Sequence, residues 1–251
     1  MKTVFLDGKY LQASPQIIEA FTPGVFKVKG VFETMLGHDG VIMDAALHIR
    51  RLRQGLKVLG IEPPPVHPSV LKEVFLRNHL SLGRVRLMVW QDKKQAHTLI
   101  AALPYKVSNK QNYRVCLFKT NRVDNARLAN VKSLDDEVFA NAYADAKAHG
   151  FDEALLLNRR GHIFEASRAN IFWIKDRVLY TPPLSSGCLN GITRQQVIKQ
   201  AGNLKISVKE RNLTLEILKG SDAAFLTNSL IGIKPIEIRE IKIASGLRKL
   251  I

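Results

Sequence analysis

Apolar and polar residues recur along this chain with the periods of both helices and strands. Four apolar residues at spacings of three and four predict a helix over residues 45–59 that ends at Gly60 (Ile49, Leu52, Leu56 and Leu59). Runs in which apolar and polar residues alternate predict strands, and those at 84–90 and 97–104 are expected to pair. Further helices are predicted at 70–80, 137–149 and 193–201, and further strands at 31–36, 113–119, 153–157, 162–166, 170–174, 178–180 and 223–227.

A polar stretch without periodicity interrupts these elements near the middle of the chain. We therefore predict a mixed α+β fold of two domains. A small N-terminal α/β domain would span residues 1–106, a linker 107–112, and a larger C-terminal domain 113–251.

Length and composition narrow the class of protein. The 251 residues are 46% hydrophobic, which is enough for a sizeable core. No apolar run approaches the length of a membrane span, and the acid at Asp7 comes too early for a signal peptide. Two cysteines, Cys116 and Cys188, do not form a disulfide framework, so we expect a cytoplasmic protein with reduced thiols and no metal site.

The formal net charge of +16 is a second distinctive property. It leaves open a non-enzymatic protein that binds anions or nucleic acid. However, the basic residues are scattered, and their densest cluster has no interleaved aromatic residues for base stacking (Lys27, Lys29, Arg50, Arg51, Arg53 and Lys57). We favour a solvated basic surface whose field would concentrate an anionic cofactor and substrate.

Three separate segments carry candidate chemistry. Lys132 precedes a helix-like run, Glu165 lies in an apolar strand, and a glycine-bearing loop leads into a helix at Ile192 and Thr193. An amine for an aldehyde, an anion for a pyridinium nitrogen and N–H donors for a phosphate are what a protein needs to bind pyridoxal phosphate. Arg51, beside the apolar face of the first predicted helix, could turn inward and bind a phosphate with two hydrogen bonds.

Each of these residues also has a plainer interpretation. Lys132 could be a surface lysine; it would be reactive only if burial or a cation such as Arg122 or Arg127 lowered its pKa. Glu165 could pair with Arg168 or face solvent, and the loop before Ile192 could simply cap a helix.

Taken together, the segments resemble a known family. They occur in the order of the fold-type IV pyridoxal-phosphate enzymes, or class IV aminotransferases, and span most of residues 30–236: GVFET, HIRRL, VKSL, DEALLLN, GHIFEASRANIF, TPPLSSGCLNGITR and FLTNSLIGIKPI. The resemblance implies a small α/β domain and a larger, cofactor-binding domain built around a barrel-like sheet. It also implies pyridoxal 5'-phosphate between the two domains, usually in a homodimer.

The same resemblance implies a role for each matching residue. Lys132 would be the Schiff-base lysine and Glu165 would contact the pyridine nitrogen. Phosphate contacts would come from Arg51, Ile192 and Thr193. Thr227 or Asn228 would contact the phosphate or the edge of the substrate.

Two motifs within the resemblance favour one activity. Phe32-Glu33-Thr34 and Thr227-Asn228-Ser229-Leu230 are similar to segments of 4-amino-4-deoxychorismate lyase, which forms para-aminobenzoate and pyruvate for folate synthesis. Thr34 would then relay a proton to the leaving group or orient it. The alternative is a branched-chain or D-amino-acid aminotransferase, since Lys132 and Glu165 serve both reactions. The family often has a tyrosine four residues after the lysine, where this chain has Asp136.

Overall fold

The described part of the chain divides into two units. In this computed structural model it comprises residues 2–14, 28–93, 95–120, 128–238 and 241–243. Met1–Ser108 and Val131–Glu137 form the first unit, and Asn109–Asn130 and Val138–Ile251 form the second. The domain limits expected from sequence stay a prediction. The observed units differ from them in that residues 131–137, with Lys132, belong to the first unit.

An antiparallel sheet of six strands organises the first unit, in the order β2-β1-β6-β5-β3-β4. Its strands are β1 (Thr3–Leu6), β2 (Lys9–Gln12), β3 (Gly30–His38), β4 (Val41–Ile42), β5 (Leu82–Asp92) and β6 (Gln95–Pro104). Strand β3 pairs with β5 along its whole length, from Gly30 opposite Trp90 to His38 opposite Leu82. The predicted pairing of β5 and β6 is confirmed, with Asp92 opposite Gln95 at the turn.

Two helices cover one face of this sheet. Helix α1 (Ala45–Leu59) has the predicted bounds. It ends at Gly60, whose positive φ of 68° is the left-handed conformation that commonly ends a helix. Helix α2 (Pro68–Arg77) begins earlier than predicted, because His67 caps it and Pro68 suits the first turn. Their apolar side chains form one core with alternate residues of β3 and β5, including Val31, Met35, Ile49, Leu52, Leu56, Val74, Phe75, Val85 and Leu87.

A short returning segment extends the edge of strand β3. The Phe32 amide donates to the Lys132 carbonyl at 3.0 Å, and the Leu134 amide donates to the Gly30 carbonyl at 3.0 Å. Ser133 forms an antiparallel bridge with Val31. A side chain at Gly30 would collide with Leu134 and with the backbone of β5, so only glycine permits this close approach. The pairing therefore fixes the backbone that carries Lys132.

The second unit contains two smaller sheets. One has the order β12-β11-β10-β13-β14 and the other β15-β7-β8-β9. Their strands are β7 (Val115–Lys119), β8 (Glu153–Leu157), β9 (Ile163–Ala166), β10 (Asn170–Lys175), β11 (Val178–Thr181), β12 (Val208–Glu210), β13 (Ala223–Asn228), β14 (Gly232–Pro235) and β15 (Lys242–Ile243). The helices are α3 (Glu137–Ala148), α4 (Ile192–Asn203) and α5 (Leu215–Lys219), with a 3-10 turn at Leu184–Ser186. The predicted α+β class is confirmed.

No helix in the described ranges is both long and apolar enough to cross a membrane.

Candidate functional site

The face of the first sheet that lies away from α1 carries polar groups in an apolar setting. Side chains alternate along a strand, so Phe32 and Thr34 point away from the helix-packed Val31. The Lys132 ammonium nitrogen lies 4.5 Å from the centre of the Phe32 ring, and the Arg86 guanidinium carbon lies 4.2 Å from it. Arg86 is also the cross-strand partner of Thr34. An amine, a guanidinium and a hydroxyl therefore share this face.

The environment of Lys132 makes its amine easier to deprotonate. Burial and the nearby guanidinium groups of Arg51 and Arg86 lower the pKa of Lys132 from 10.5 to about 8, although the carboxylates of Glu33 and Asp136 oppose this. Lys132 is half-buried and its nitrogen lies against the Phe32 ring, so it differs from the fully solvated surface lysine of the plainer interpretation. Because amine reactivity requires loss of the proton, this lysine is suited to nucleophilic or base chemistry.

Two arginines that the sequence analysis did not connect with Lys132 act on it in the structure, Arg51 and Arg86. Arg122 and Arg127 were the expected cations, and both lie outside the described residues. Arg51 and Arg86 lie on α1 and β5, and sheet pairing and helix packing bring both close to position 132. Sequence spacing alone did not indicate that the charge of either arginine acts on Lys132.

A buried carboxylate that sequence reasoning missed binds Arg51. Glu33 is fully buried, and its two oxygens accept from Nε and Nη2 of Arg51 at 2.8 and 2.5 Å. His48 Nδ1 lies 2.7 Å from the same Oε2. Burial alone would raise the pKa of Glu33, but Arg51 and His48 outweigh it and hold the pKa at about 2. The signal was present in the sequence, since an acid inside an apolar strand needs a partner.

Arg51 does turn inward, as its position beside the apolar face of α1 predicted. Its partner in the structure is Glu33, and its contact with a phosphate stays a prediction. Its helix neighbours behave differently, because Arg50, Arg53 and Lys57 line an open groove of about 990 Å³ beside residues 60–68. None of the residues predicted for the site lines that groove.

In the second unit, Glu165 contacts the loop that precedes helix α4. It is buried in β9, and Oε2 accepts from the Leu189 amide at 3.1 Å. Burial excludes the alternative that this acid faces solvent. Arg168, its other expected partner, lies over the Tyr143 ring, 3.4 Å from the centroid.

The loop between Leu189 and Gly191 is held closely against strand β10. Asn170 Nδ2 donates to the Leu189 carbonyl at 2.7 Å, and a side chain at Gly191 would collide with the Asn170 amide oxygen. Helix α4 then begins at Ile192, followed by Thr193. Amides in the first turn of a helix have no partner within the helix, so this end of α4 suits an anion.

Thr227 and Asn228 play different parts at the end of β13. Asn228 Oδ1 accepts from the amides of Leu230 and Ile231, both at 2.9 Å, and Nδ2 donates to the Arg168 carbonyl. Its side chain thus organises a turn. Thr227 is buried opposite Asn170, and its hydroxyl has no hydrogen-bond partner in the part of the chain described. Of the two, Thr227 is better suited to contact a ligand.

A second unexpected acid lies on the strand that pairs with that of Glu165. Glu153 on β8 is almost fully buried and accepts a short hydrogen bond from the Ser167 hydroxyl. Burial raises the pKa of Glu153 to about 7, despite the hydrogen bond from Ser167 and the charges of Arg168 and Lys147. This acid therefore changes charge near neutral pH.

Cys188 behaves as a packing residue. Its thiol is buried, and burial together with the nearby Glu165 raises its pKa to about 12. A thiol in this environment is a poor nucleophile. In the described ranges, no group of three or more His, Cys, Asp or Glu residues could hold a metal ion.

Comparison with known proteins gives one family. The model of the amino-transferase class IV family matches residues 30–238. The branched-chain-amino-acid aminotransferase of Salmonella typhimurium is 38% identical over 97% of this chain and 87% of its own length. The aminodeoxychorismate lyase of Bacillus subtilis is 28% identical over 96% of this chain and 88% of its own length.

The fold agrees with solved structures of the same group. The T.th. branched-chain amino acid aminotransferase with pyridoxamine 5'-phosphate superposes with a TM-score of 0.79. It is 25% identical, and the match covers 98% of this chain and 88% of that one. The similarity therefore extends over nearly the whole chain.

Proposed function

The chain belongs to the class IV aminotransferase family of pyridoxal 5'-phosphate-dependent enzymes, and on this premise we propose that it is a 4-amino-4-deoxychorismate lyase. It would convert 4-amino-4-deoxychorismate to para-aminobenzoate and pyruvate, a reaction of folate synthesis. Family membership also sets aside the non-enzymatic nucleic-acid-binding alternative that the charge had left open.

The described residues fit the cofactor of this family. Lys132 offers an amine with a lowered pKa for the aldehyde, and Glu165 offers a buried acid for the pyridine nitrogen. For the phosphate, the first turn of α4 at Ile192 and Thr193 offers amide donors, and Thr227 offers a buried hydroxyl that lacks a partner among the described residues. When bound, the cofactor would supply an electron sink for the carbon that loses its proton.

Lys132 is proposed as the base that removes the proton from C4 of the substrate. At pH 7.5 a pKa of about 8 leaves roughly one amine in four unprotonated, against roughly one in a thousand at the ordinary value of 10.5. A group both accepts and releases a proton efficiently when its pKa lies near the working pH. Burial, Arg51 and Arg86 together provide that match.

The observation that carries the lyase assignment is the position of the Thr34 hydroxyl. Thr34 is half-buried and lies two residues after Phe32 on β3, on the sheet face that carries Lys132. A lyase must also assist departure of the enolpyruvyl oxygen from C3. A hydroxyl on the same sheet face as the amine can donate or orient a proton for that oxygen.

Two variants of Thr34 test this role. Thr34→Val keeps the shape but removes the hydroxyl, and we expect at least a roughly 100-fold loss of para-aminobenzoate formation. Thr34→Ser restores the hydroxyl and should restore most of the rate. Equal activity of the valine and serine variants would contradict the assignment.

Aminotransferase activity is the second candidate, favoured by the 38% identity to the Salmonella typhimurium enzyme. Parallel assays separate the two candidates. One supplies 4-amino-4-deoxychorismate and measures para-aminobenzoate; the other supplies leucine or D-alanine with 2-oxoglutarate and measures glutamate. Amino-group transfer without para-aminobenzoate would replace the lyase proposal with the aminotransferase.

The cofactor link has its own test. The wild-type protein should be yellow with bound pyridoxal 5'-phosphate, and borohydride should fix the cofactor to the peptide that contains Lys132. Lys132→Ala should show neither property. We also propose a homodimer, which light scattering tests by a mass twice that of the chain.

A further inference from the structure

We propose that Glu33 is a positioning residue of this site, whose carboxylate orients the Arg51 guanidinium and balances its charge beside Lys132. This inference rests on the proposed role of Lys132. It adds to the site a residue that neither the sequence motifs nor the comparisons assign.

The first support is geometric. Arg51 and His48 lie one turn apart on α1, and both side chains contact Glu33 of strand β3. Two nitrogens of the guanidinium bind two oxygens of one carboxylate, and this fork arrangement fixes the plane of the guanidinium. His48 fixes the carboxylate in turn. A fully buried acid with this many partners is an ordered support for Arg51.

The second support is electrostatic. Arg51 and Arg86 are cations that act on Lys132, and Glu33 and Asp136 are acids that oppose them. Glu33 is the fully buried acid of this set, whereas Asp136 is half-buried and more screened by water. Without the charge of Glu33, the two arginines would act on the Lys132 amine largely unopposed. Without Arg51, the carboxylate of Glu33 would instead favour the ammonium form.

The structure therefore predicts opposite effects for removal of the two partners. Glu33→Gln removes a negative charge with little change in shape, so the titration midpoint of Lys132 should fall by about one pH unit. Arg51→Gln removes a positive charge and leaves Glu33 unbalanced, so the midpoint should rise by about one pH unit. General damage to the fold would not move the two midpoints in opposite directions.

Site-specific acetylation measures these midpoints. The full-length chain, stripped of cofactor with hydroxylamine, is labelled with acetic anhydride between pH 6 and 11, and mass spectrometry quantifies modification of the Lys132 peptide. Glu73→Gln is the matched control, because Glu73 forms an exposed pair with Arg77 at 2.7 Å. This control should leave the Lys132 midpoint unchanged.

Binding of the cofactor gives a second readout. The dissociation constant of pyridoxal 5'-phosphate, followed by absorbance, should rise about tenfold in Glu33→Gln as Arg51 loses its orientation. Glu33→Asp, which keeps the charge, should leave the Lys132 midpoint within a few tenths of a pH unit of wild type.

Each outcome bears on one proposal. Midpoints that do not move, or that move in the same direction in Glu33→Gln and Arg51→Gln, would overturn the inference even in an active enzyme. If Glu33→Gln does not fold, Arg51→Gln must still raise the midpoint, and failure to do so overturns it. A wild-type protein that binds no cofactor would instead refute the proposed function, and the titration would still test the role of Glu33.

Discussion

Replacement of Glu153 by glutamine should stabilise the protein relative to wild type at alkaline pH and leave its stability unchanged at acidic pH. Glu153 is 3% exposed, and its pKa is raised from 4.5 to about 7 by burial. Each pKa unit corresponds to about 1.4 kcal/mol, so the ionised form costs the folded state about 3 kcal/mol. Glutamine can still accept the hydrogen bond from Ser167 but does not ionise.

The direction follows from proton binding. Between pH 4.5 and 7 the folded chain retains the proton on Glu153 and the unfolded chain has lost it, so wild-type stability falls as pH rises. Above pH 7 the loss is complete. Glu153→Gln should therefore match wild type near pH 4.5 and exceed it by about 3 kcal/mol at pH 8. Glu33 and Lys132, with pKa values lowered to about 2 and about 8, change the pH dependence of stability outside the range from pH 4.5 to 7.

Equilibrium unfolding in urea at several pH values measures this difference. Trp173 is buried in the same unit as Glu153, so a Trp90→Phe background makes the tryptophan fluorescence report that unit. Glu62→Gln, at an exposed position, is the control and should show no pH-dependent gain. A constant difference between Glu153→Gln and wild type from pH 4.5 to 8 would refute the reasoning.

Three further predictions concern the second unit. Gly191→Ala should lower the free energy of unfolding by about 1–3 kcal/mol, because the new methyl group collides with the Asn170 side-chain amide. Gly202→Ala, where the space is open, is the control and should be neutral or stabilising, as thermal unfolding of both variants would show. Thr227→Val should leave the cofactor-free protein as stable as wild type but raise the dissociation constant of pyridoxal 5'-phosphate about five- to tenfold, as absorbance titration would show. Cys116 and Cys188 should react with a thiol reagent at pH 8 only after denaturant is added, because burial raises their pKa values to about 11 and about 12.

Local signals in the sequence identified the elements whose stability is local. Helix α1 was predicted residue for residue, since its apolar spacing and the glycine after it act within a few turns. Strand β3 continues two residues past the predicted end at Leu36, through Gly37 and His38, because pairing with β5 outweighs weak strand propensity. The short edge strands β12 and β14 were missed, since their pairing partners alone make them strands.

The candidate site shows the same division. Lys132, Glu165 and the start of α4 were recognisable as motifs, and their roles at a cofactor site stay predictions. The partners that tune them were not recognisable. Glu33, Arg86 and Glu153 depend on which residues meet across strands, and one chain carries no direct record of those contacts.

The return of residues 131–134 to the edge of β3 has a consequence for biosynthesis. A backbone hydrogen bond connects Gly30 and Leu134, which are more than a hundred positions apart in sequence. Between them, residues 109–130 belong to the other unit. A nascent chain that has grown only as far as Ser108 still displays an uncovered strand edge, which is a template for unwanted pairing between molecules. Translation must therefore proceed past Leu134 before this strand edge can be covered, and a fragment that stops at Ser108 should aggregate more readily than the whole protein.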